Sequence, residues 1–364
     1  MADIEPRSLT RRKVTILDVA RSAGVSPMTV SRVINRKGRV TDATRALVEE
    51  RVEAMGYKPN LAARSLAGAG LLHIGVLYSN PSEAYLSRFL LGVLDYAKGS
   101  VMQAVIERCD SDTDVPALID DLSRQVEGLL IPPPFSDSES LLSLVRDAGI
   151  PAVAIGGHTM VEEVATVCID DEQAAYEMTR HVVALGHRRI GFVLGQASQS
   201  ATSLRLAGYR RALREAGLHG SEDLIVQGDF SYRSGIGAAE MLLGKVNRPT
   251  ALFASNDDMA AAAVAVAHRL GLSVPRDLTV CGFDDTEMAR SIWPELTTVH
   301  QPVEEMARAA AALLEKMVKA RHRDRRPGVM HRRLDHEIVR RGSEAPPPSA
   351  RRRAAEAARK EMFG

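Results

Sequence analysis

The chain changes its spacing of apolar and polar positions near residue 71. Before that point, Val30, Val33 and Ile34 recur at the spacing of one face of an α-helix, with polar residues between them. After it, short apolar runs alternate with longer stretches whose apolar residues recur at helical spacing. This pattern predicts a small helical head followed by alternating strands and helices, which is typical of parallel sheets with helices on both faces.

The head carries local signals for two short helices joined by a tight turn. Thr15 can cap the first helix together with Asp18, and Gly24 can take the left-handed conformation that ends it. Ser26 can cap a second helix that begins at Pro27. The residues left on the outer face of this second helix are Met28, Thr29, Arg32 and Asn35. Such a unit is a helix-turn-helix, whose second helix presents its N-terminal residues to the edges of DNA bases.

Eight strands and eight helices are predicted in the rest of the chain. The strands are Ile74–Leu77, Ala104–Glu107, Gly128–Ile131, Ala152–Ile155, Val167–Ile169, Ile190–Leu194, Ala251–Ala254 and Leu278–Gly282. The helices are Tyr85–Ala97, Val115–Gln125, Glu139–Ala148, Glu172–Leu185, Leu204–Ala216, Tyr232–Leu243, Asp258–Leu270 and Val303–Val318. Ligands of parallel sheets bind beyond the carboxyl ends of the strands, so polar residues that follow a strand are candidates for a binding site.

Charge separates the same two regions. The net charge of the chain is +1, yet residues 1–70 carry 13 lysines and arginines against 7 acidic residues. Residues 343–364 carry 5 against 3, so residues 71–342 have an excess of acidic residues. A basic head suits binding to DNA phosphates, and an acidic body suits a domain that senses a small ligand.

Six strings of sequence between residues 14 and 342 resemble the lactose-repressor/galactose-repressor (LacI/GalR) family. They are DVARSAGVSPMTVSRVIN, GYKPNLAARSLAG, LGHRRIGFV, RLAGYRRAL, ASNDDMA and VCGFDDTEMA. The resemblance implies a transcriptional regulator that binds operator DNA as a homodimer and responds to a small-molecule effector. It also implies an α/β fold class, with a small all-α helix-turn-helix head and a two-lobed periplasmic-binding-protein-like body of parallel sheets flanked by helices.

The same match assigns DNA-contacting roles by position. Pro27, Met28 and Arg32 fall on base-reading positions, and Arg32 is suited to a bidentate contact with guanine. Ala63 and Leu66 fall on a short hinge helix that pairs with its dimer mate in the minor groove, where the leucine wedges into a base step and kinks the DNA. The positions that match contacts with the DNA backbone are Thr15, Ser26, Ser31, Asn35 and Arg39.

Effector contacts are expected where the strands end. By the family match, Arg205, Asn256 and Asp284 fall on effector-contacting positions, and Phe230 falls on a stacking aromatic. Further candidates that follow a strand or open the next helix are Asp171, Tyr78, Asn80 and Tyr85. Acids, amides and one arginine around an aromatic ring suit a sugar or glycoside, which would act as the inducer of a repressor of carbohydrate-utilisation genes.

Two other interpretations stay open. The same fold can use a purine or phosphorylated metabolite as co-repressor, since purine-binding family members keep similar residues at the positions of Arg205 and Asp284. The chain can also be a sugar-binding module without operator activity. Two neighbouring acids have structural interpretations, because Asp257 can cap the helix that follows it and Asp285 with Thr286 is better explained by packing than by a ligand.

Other classes of protein find no support in the sequence. It contains no phosphate-binding loop, dinucleotide fingerprint, nucleophile elbow or convincing metal-ligand spacing, so we expect no enzyme activity, no cofactor and no metal. No apolar run approaches ~18 residues, and the N-terminus lacks the apolar segment of a signal peptide, so we expect a cytoplasmic protein that does not enter the membrane. Cys109, Cys168 and Cys281 are expected to be small buried thiols.

The predicted organisation has five parts. They are a flexible basic N-terminus at 1–13, the helix-turn-helix domain at 14–58, the hinge helix and linker at 59–70, the two-lobed effector-binding and dimerisation domain at 71–342, and a disordered Pro/Arg/Ala-rich tail at 343–364. By resemblance, the N-terminal lobe takes about 72–170 and 303–328, and the C-terminal lobe about 171–300 and 330–342, with a closing strand near Asp335–Arg340. The tail lacks the leucine repeat that would join four chains, so a dimer is expected rather than a tetramer.

Overall fold

The computed structural model describes residues 15–34, 40–55, 71–79, 81–109, 113–157, 164–218, 220–323 and 330–350. The chain forms two compact units, residues 1–71 and residues 72–364. The predicted N-terminal segment and hinge lie outside the described residues. So do the candidate residues Asn35, Arg39, Ala63, Leu66 and Asn80.

Three helices make up the described part of the first unit. They are α1 (Ile16–Ala23), α2 (Pro27–Ile34) and α3 (Asp42–Ala54). Their shared core contains Val19, Val30, Val33 and Val48, none of which is more than 2% exposed. The apolar spacing that predicted one buried face of the second helix is therefore confirmed.

Local capping fixes the ends of α1 and the start of α2, as predicted. Thr15 Oγ1 accepts a hydrogen bond from Asp18 N at 3.4 Å, and Thr15 N donates to Asp18 Oδ2 at 2.9 Å, which forms the capping box. Gly24 ends α1 with φ at 65°, in the left-handed region that favours glycine. Ser26 Oγ accepts from Thr29 N at 3.1 Å and so caps α2. These contacts form the helix-turn-helix.

Two six-stranded sheets form the centres of the two lobes of the second unit. The strands are β1 (Leu72–Tyr78), β2 (Met102–Arg108), β3 (Gly128–Ile131), β4 (Ala152–Ile155), β5 (Ala165–Cys168), β6 (Ile190–Leu194), β7 (Ile225–Gln227), β8 (Ala251–Ala254), β9 (Thr279–Asp284), β10 (Thr297–His300), β11 (His331–Arg333) and β12 (Glu337–Val339). The orders are β11-β5-β4-β3-β1-β2 and β12-β10-β9-β8-β6-β7. Every pairing is parallel except that of β10 with β12.

Helices connect these strands. They are α4 (Glu83–Lys98), α5 (Val115–Gln125), α6 (Glu139–Asp147), α7 (Asp171–Ala184), α8 (Ser200–Glu215), α9 (Tyr232–Leu243), α10 (Asp257–Arg269), α11 (Glu287–Ser291) and α12 (Val303–Arg321). All sixteen predicted elements are found, with ends that differ by a few residues. The short elements β7, β10, β11 and α11 were not predicted, and β12 lies where the closing strand was expected.

Helices cover both faces of the first sheet. In β3, Leu130 belongs to the same core as Phe89 of α4 and Leu314 of α12, whereas its neighbour Leu129 belongs to a core with Leu142 of α6. Successive side chains of a strand point to opposite faces, so a strand covered on both sides is apolar throughout. This is why the buried strands are continuous apolar runs in the sequence.

Strand β11 corrects the predicted boundary between the lobes. The sequence analysis placed all of residues 330–342 in the C-terminal lobe, but His331–Arg333 pairs with β5 of the first sheet. Only β12 joins the second sheet, where the closing strand was predicted. The three residues of β11 are polar and exposed, so no apolar pattern marks them as a strand.

The beginning of the C-terminal tail packs against the second lobe. Ser343 is fully buried, and its Oγ donates to Val280 O at 2.6 Å and accepts from Thr297 N at 2.8 Å. The Ala345 carbonyl accepts from His187 Nε2 at 2.9 Å. The prediction of disorder from residue 343 onward is therefore wrong for residues 343–350, and residues 351–364 lie outside the described part of the chain.

Two further expectations concern membranes and cysteines. Among the helices that the structure describes, none is long and apolar enough to span a membrane. Cys109 and Cys281 are buried and Cys168 is half-buried, and all three are free thiols. The prediction that the cysteine side chains are buried is therefore confirmed for Cys109 and Cys281 and only partly for Cys168.

Candidate functional site

Helix α2 presents an exposed surface on the first unit. Met28 is 63% exposed, Pro27 and Arg32 are also exposed, and Ser31 is half-buried. Met28 and Arg32 are four residues apart and so lie on one face of the helix. On the exposed face of a helix, an arginine can read guanine and a neighbouring apolar side chain can contact the thymine methyl group in a major groove.

Two predicted contacts with the DNA backbone already have a structural role. Thr15 Oγ1 donates to Asp18 Oδ2 at 2.7 Å, and Ser26 Oγ lies 2.9 Å from Thr29 Oγ1. Both side chains hold the first turn of a helix, where backbone N–H groups without intrahelical partners can bind phosphate. Their contact with DNA stays a prediction.

In the second unit, a small inner cavity of ≈ 40 Å³ lies between the lobes, beyond the carboxyl ends of the strands. The first lobe lines it with Ser82, Tyr85, Pro133 and Gly156. The second lobe lines it with Asp171, Gln199, Ala201, Arg205, Phe230, Asn256, Asp284 and Gln301. Six residues predicted to bind the effector are thus brought together here, although they come from distant parts of the chain.

Arg205 of α8 is the centre of the inner cavity. Its Nε donates to Asp171 Oδ1 at 2.8 Å, its Nη2 to Gln301 Oε1 at 3.3 Å, and its Nη1 to the carbonyl oxygen of Ser255. Its guanidinium carbon lies 3.5 Å from the centre of the Phe283 ring. Because the guanidinium group is planar and has donors in fixed directions, these contacts orient it before any ligand arrives.

Asp284 and Asp285 are adjacent in the chain but differ in their electrostatics. Burial raises the pKa of Asp284 well above its usual value, although Arg205 lies 4.0 Å away and opposes the rise. Burial alone would also raise the pKa of Asp285, but hydrogen bonds from His300 and Arg341 hold it well below the usual value. Asp284 can therefore donate as well as accept a hydrogen bond, whereas Asp285 is a structural anion.

Backbone strain is concentrated at this site. Among the described residues other than glycine, Phe230, Asp284 and Asp285 have positive φ, at 70°, 104° and 54°. Each such conformation costs about 1–3 kcal/mol and persists only when its surroundings hold it. Asn256 Nδ2 donates to the Phe230 carbonyl at 2.8 Å and stabilises one of them.

Asn256, rather than Asp257, caps α10. Asn256 Oδ1 accepts from Met259 N at 3.0 Å. Asp257 instead accepts from Thr286 N at 2.7 Å and from Thr298 Oγ1 at 2.6 Å. The interpretation of Asp257 as a helix cap is therefore wrong, since it joins α10 to the ends of two other segments. Asn256 both caps a helix and positions Phe230.

The first lobe contributes neutral groups to the inner cavity. Tyr85 is 7% exposed, and its hydroxyl oxygen is buried with no hydrogen-bond partner among the described residues. Ser82 Oγ donates to Asp258 Oδ2 at 2.6 Å, which joins the start of α4 to the start of α10 across the cleft. An unpaired buried hydroxyl costs about 1–3 kcal/mol, so a ligand that pairs with Tyr85 recovers that cost.

A second, outer cavity of ≈ 420 Å³ adjoins the first. It is lined by Tyr78, Ser79, Pro81, Arg108 and Pro134 of the first lobe and by Gln196 and Asp229 of the second. Tyr78, a predicted effector residue, lies here rather than in the inner cavity.

Three polar residues of the inner cavity were not predicted from the sequence, namely Ser82, Gln199 and Gln301. Gln301 directly follows β10, which was not predicted, so its place at a strand end went unnoticed. Ser82 carried a usable signal, because it caps α4 by accepting from Tyr85 N at 3.3 Å. Within the described ranges, no group of three or more His, Cys, Asp or Glu side chains is arranged to hold a metal ion.

A helix-turn-helix unit followed by two lobes built on parallel sheets is typical of a DNA-binding regulator whose second domain binds a small ligand. Residues 15–60 match the family model of bacterial regulatory proteins, lacI family, and residues 179–343 match the periplasmic binding protein-like domain. The chain is 35% identical over 306 residues to the catabolite control protein A of Priestia megaterium, covering 83% of this chain and 92% of that protein. It therefore belongs to the LacI family and is a DNA-binding transcriptional repressor.

Solved structures give the same result. The complex of the transcriptional regulator CelR with cellobiose has a TM-score of 0.69 and 31% identity, covering 91% of this chain and all of that chain. The lac repressor dimer bound to operator and the anti-inducer ONPF has a TM-score of 0.64 and 28% identity, covering 92% and all of the respective chains.

Proposed function

We propose that this protein is a dimeric cytoplasmic repressor of carbohydrate-utilisation genes that binds a pseudo-palindromic operator and is released by a small sugar or glycoside. The main support for an effector site is Arg205 in the cleft between the lobes. Its guanidinium group is oriented by hydrogen bonds to Asp171, Ser255 and Gln301. The exposed Arg32 supports the DNA half. The wedge formed by Leu66 is implied by the family resemblance.

The inner cavity suits an uncharged, hydroxylated ring. Arg205 donates hydrogen bonds, Asp171 accepts them, and Asp284 can do either because burial raises its pKa. Phe230 is 7% exposed and adds an apolar wall, which suits the C–H face of a sugar. Asp171 already neutralises Arg205, so a neutral ligand leaves the charge balance of the buried site intact.

Effector binding would set the angle between the lobes. A ligand that contacts Tyr85 and Arg205 at once joins the first lobe to the second, and it favours whichever arrangement allows both contacts. Strand β1 begins directly after the predicted hinge, so we infer that movement of the first lobe reaches the hinge. A coupling of about 1–3 kcal/mol would change operator affinity roughly 5- to 150-fold.

An exposed apolar patch supports the dimer. Leu91 and Leu94 of α4 are 53% and 49% exposed, and Ile106 of the neighbouring strand β2 is 49% exposed. Strand β2 is an edge strand of its sheet. A second copy of the chain would cover these side chains, as fits a relative whose structure is a dimer on its operator.

One observation favours a second candidate, a phosphorylated or purine co-repressor. Helix α8 begins at the inner cavity without a side-chain cap from Gln199, and Ser200 Oγ is buried with no partner in the part of the chain that the structure describes. An uncapped helix N-terminus attracts anions. Asp171, the ion-pair partner of Arg205, lines the same cavity and opposes a second anion there, so the neutral sugar is the better fit.

Fluorescence anisotropy of the full-length protein on its own upstream DNA tests both candidates. The titration is done at two salt concentrations, with and without a panel of sugars, purines and phosphorylated sugars. We expect tight, salt-dependent binding that one sugar releases. Binding that tightens only with a purine or phosphorylated compound would favour the co-repressor. No binding to DNA would contradict the repressor itself.

A further inference from the structure

We propose that the second unit makes its own contact with DNA, through a basic edge that binds phosphates of the duplex beside the operator. The basic edge consists of the exposed side chains of Lys316, Lys319, Arg321, Arg323 and Arg332. Residues 316–323 and 330–333 contain no aspartate or glutamate, although residues 71–342 as a whole have an excess of acidic residues. Double-stranded DNA carries one negative charge per ~1.7 Å of its axis, so a group of exposed cations suits it.

Two separate segments of the first lobe meet to form the basic edge. Lys316 Nζ lies 3.7 Å from Met330 Sδ, which places the last turns of α12 beside the start of β11. The Arg321 side chain donates to the carbonyl oxygen of Gly149, in the turn before β4. Thr166 N of β5 donates to the Met330 carbonyl at 3.3 Å. The cations are therefore gathered where strands β4, β5 and β11 begin.

The chain that comes from the DNA-binding unit enters the second unit at the same edge of the sheet. The strands from β11 to β1 are all parallel, so they all begin at one edge, and β1 begins at Leu72, directly after the first unit. Four strand spacings of about 4.8 Å separate β1 from β11, which amounts to about 19 Å. DNA held by the first unit is thus tethered to the second unit at this edge. Tethering raises the effective concentration for a second, weak contact.

Local structural roles account for only some of these cations. Lys319 and Arg321 lie in the last turn of α12, where a cation offsets the negative end of the helix dipole. Arg323 lies beyond the end of this helix, and Arg332 lies on β11. Within the described ranges, neither side chain makes an ion pair or a hydrogen bond. These two arginines are therefore the best candidates for contacts with phosphates.

Neighbouring acids do not cancel the charge of Arg323 and Arg332. Asp147, close to the turn at Gly149, is paired with Arg146 at 2.9 Å. Glu315 is buried, and it is paired with Lys319. Contacts between arginines and phosphates carry no sequence information, so the basic edge would add affinity for any duplex that extends beyond the operator.

Fluorescence anisotropy of the full-length protein on duplexes of two lengths tests this directly. The shorter duplex has about 20 bp centred on the operator, enough for two half-sites one helical turn apart, and the longer one adds about 15 bp on each side. We expect the longer duplex to bind about five- to tenfold more tightly at low salt. Its plot of log affinity against log salt should be steeper by about 2 for each protomer that makes the contact. Scrambling the sequence of the added DNA should leave the gain unchanged.

A double variant assigns the gain to the basic edge. Arg323→Ala with Arg332→Ala should bind both duplexes with the affinity that the wild type has for the shorter one. Arg214→Ala with Arg248→Ala is the matched control, because it removes the same charge from exposed positions of the second lobe. Arg214 lies in the last turn of α8, and Arg248 lies shortly before β8. The control should keep the preference for the longer duplex.

The outcomes separate this inference from operator binding itself. Equal affinity of the wild type for both duplexes would overturn the contact and leave the operator-binding function in place. A gain that survives in Arg323→Ala/Arg332→Ala, or an equal loss on both lengths, would also overturn it, because the added DNA would then not be bound by the basic edge. If neither duplex binds, both are wrong. The comparison of lengths needs only the wild-type protein, so it is decisive even if the double variant does not fold.

Discussion

The two lobes share one strand order but contribute opposite chemistry to the cleft. Apart from the added strands β11 and β12, the orders β5-β4-β3-β1-β2 and β10-β9-β8-β6-β7 are the same. The second lobe supplies the buried ionisable groups of the inner cavity, Asp171, Arg205 and Asp284, and the first lobe supplies a hydroxyl group from each of Ser82 and Tyr85. The same strand order therefore supports two different sets of side chains at the ligand cleft.

The two lobes also differ in how many hydrogen bonds their own residues make to the polar groups of the cleft. Arg205 is held by three hydrogen bonds and a stacked ring in the second lobe. The Tyr85 hydroxyl of the first lobe is buried and has no partner within the described ranges. The second lobe thus holds its arginine in place through its own contacts, whereas the first lobe leaves the Tyr85 hydroxyl for a ligand to contact.

The largest expected effect comes from Arg205→Ala. It leaves two buried acids without their cation, so we expect a loss of about 3–5 kcal/mol in the free energy of unfolding and no response to effector. Urea unfolding and operator release measure the two effects. Arg211→Ala on the same helix is the control, because Arg211 and its partner Glu172 are about one third exposed and should contribute about 1 kcal/mol or less. Equal losses in both variants would contradict the special role of Arg205.

The second prediction concerns pH and two acids of the second lobe. Burial raises the pKa of Asp257 to about 7, so the folded state binds its proton more tightly than the unfolded state does. The resulting stability is present at low pH and is lost as pH rises from about 4 to about 7, by on the order of 4 kcal/mol. The difference in unfolding free energy between wild type and Asp257→Asn should fall across that range.

Asp285→Asn is the matched control for that pH series. Because His300 and Arg341 hold the pKa of Asp285 below its usual value, its stabilising contribution is present above about pH 4 and is lost on acidification. The two variants should therefore differ from wild type with opposite pH trends. Parallel trends would show that the pH dependence does not come from these side chains.

The third prediction addresses the contact between the lobes. Asp258→Ala removes the acceptor for Ser82 Oγ but leaves Ser82 as the cap of α4. We expect effector affinity to fall by about five- to tenfold, since one hydrogen bond of the closed cleft is lost. Glu139→Ala, at the first position of α6 on the surface, should leave affinity unchanged. Unchanged affinity in Asp258→Ala would mean that this bond does not distinguish the closed from the open cleft.

The smallest effect is expected for Tyr85→Phe, which removes the unpartnered hydroxyl. Stability should stay the same or rise slightly, while effector affinity falls by about fivefold. Tyr209→Phe should behave in the opposite way, because the Tyr209 hydroxyl donates to Ile190 O at 2.8 Å in the core. That variant should lose about 1 kcal/mol of stability and keep its effector affinity. Chemical unfolding and calorimetry on both variants check the contrast.

Prediction from the sequence succeeded where contacts are short-range. Thr15 with Asp18, and Ser26 with Thr29, are three residues apart, so each cap can be inferred from a few letters. The apolar strands were equally clear, because burial on both faces leaves no polar alternation. The short strands β10 and β11 were missed, since neither is a continuous apolar run.

The candidate site was predicted in part. The family match predicted four effector-binding residues, Arg205, Phe230, Asn256 and Asp284. The structure places all four in the lining of the inner cavity. It could not supply Gln301, which meets Arg205 from 96 positions away. A partner that distant leaves no local pattern in the sequence.

By itself, the sequence determined the helix-turn-helix, the order of strands and helices, and the family, because caps, helical spacing and apolar runs depend on residues a few positions apart. Only the tertiary structure decided that β11 joins the first sheet, that Ser343 is buried, and that the cleft has a narrow base and a wider entrance. It also decided that Asp284 and Asp285 differ in pKa, since burial and neighbouring charges are properties of distant segments that meet in space.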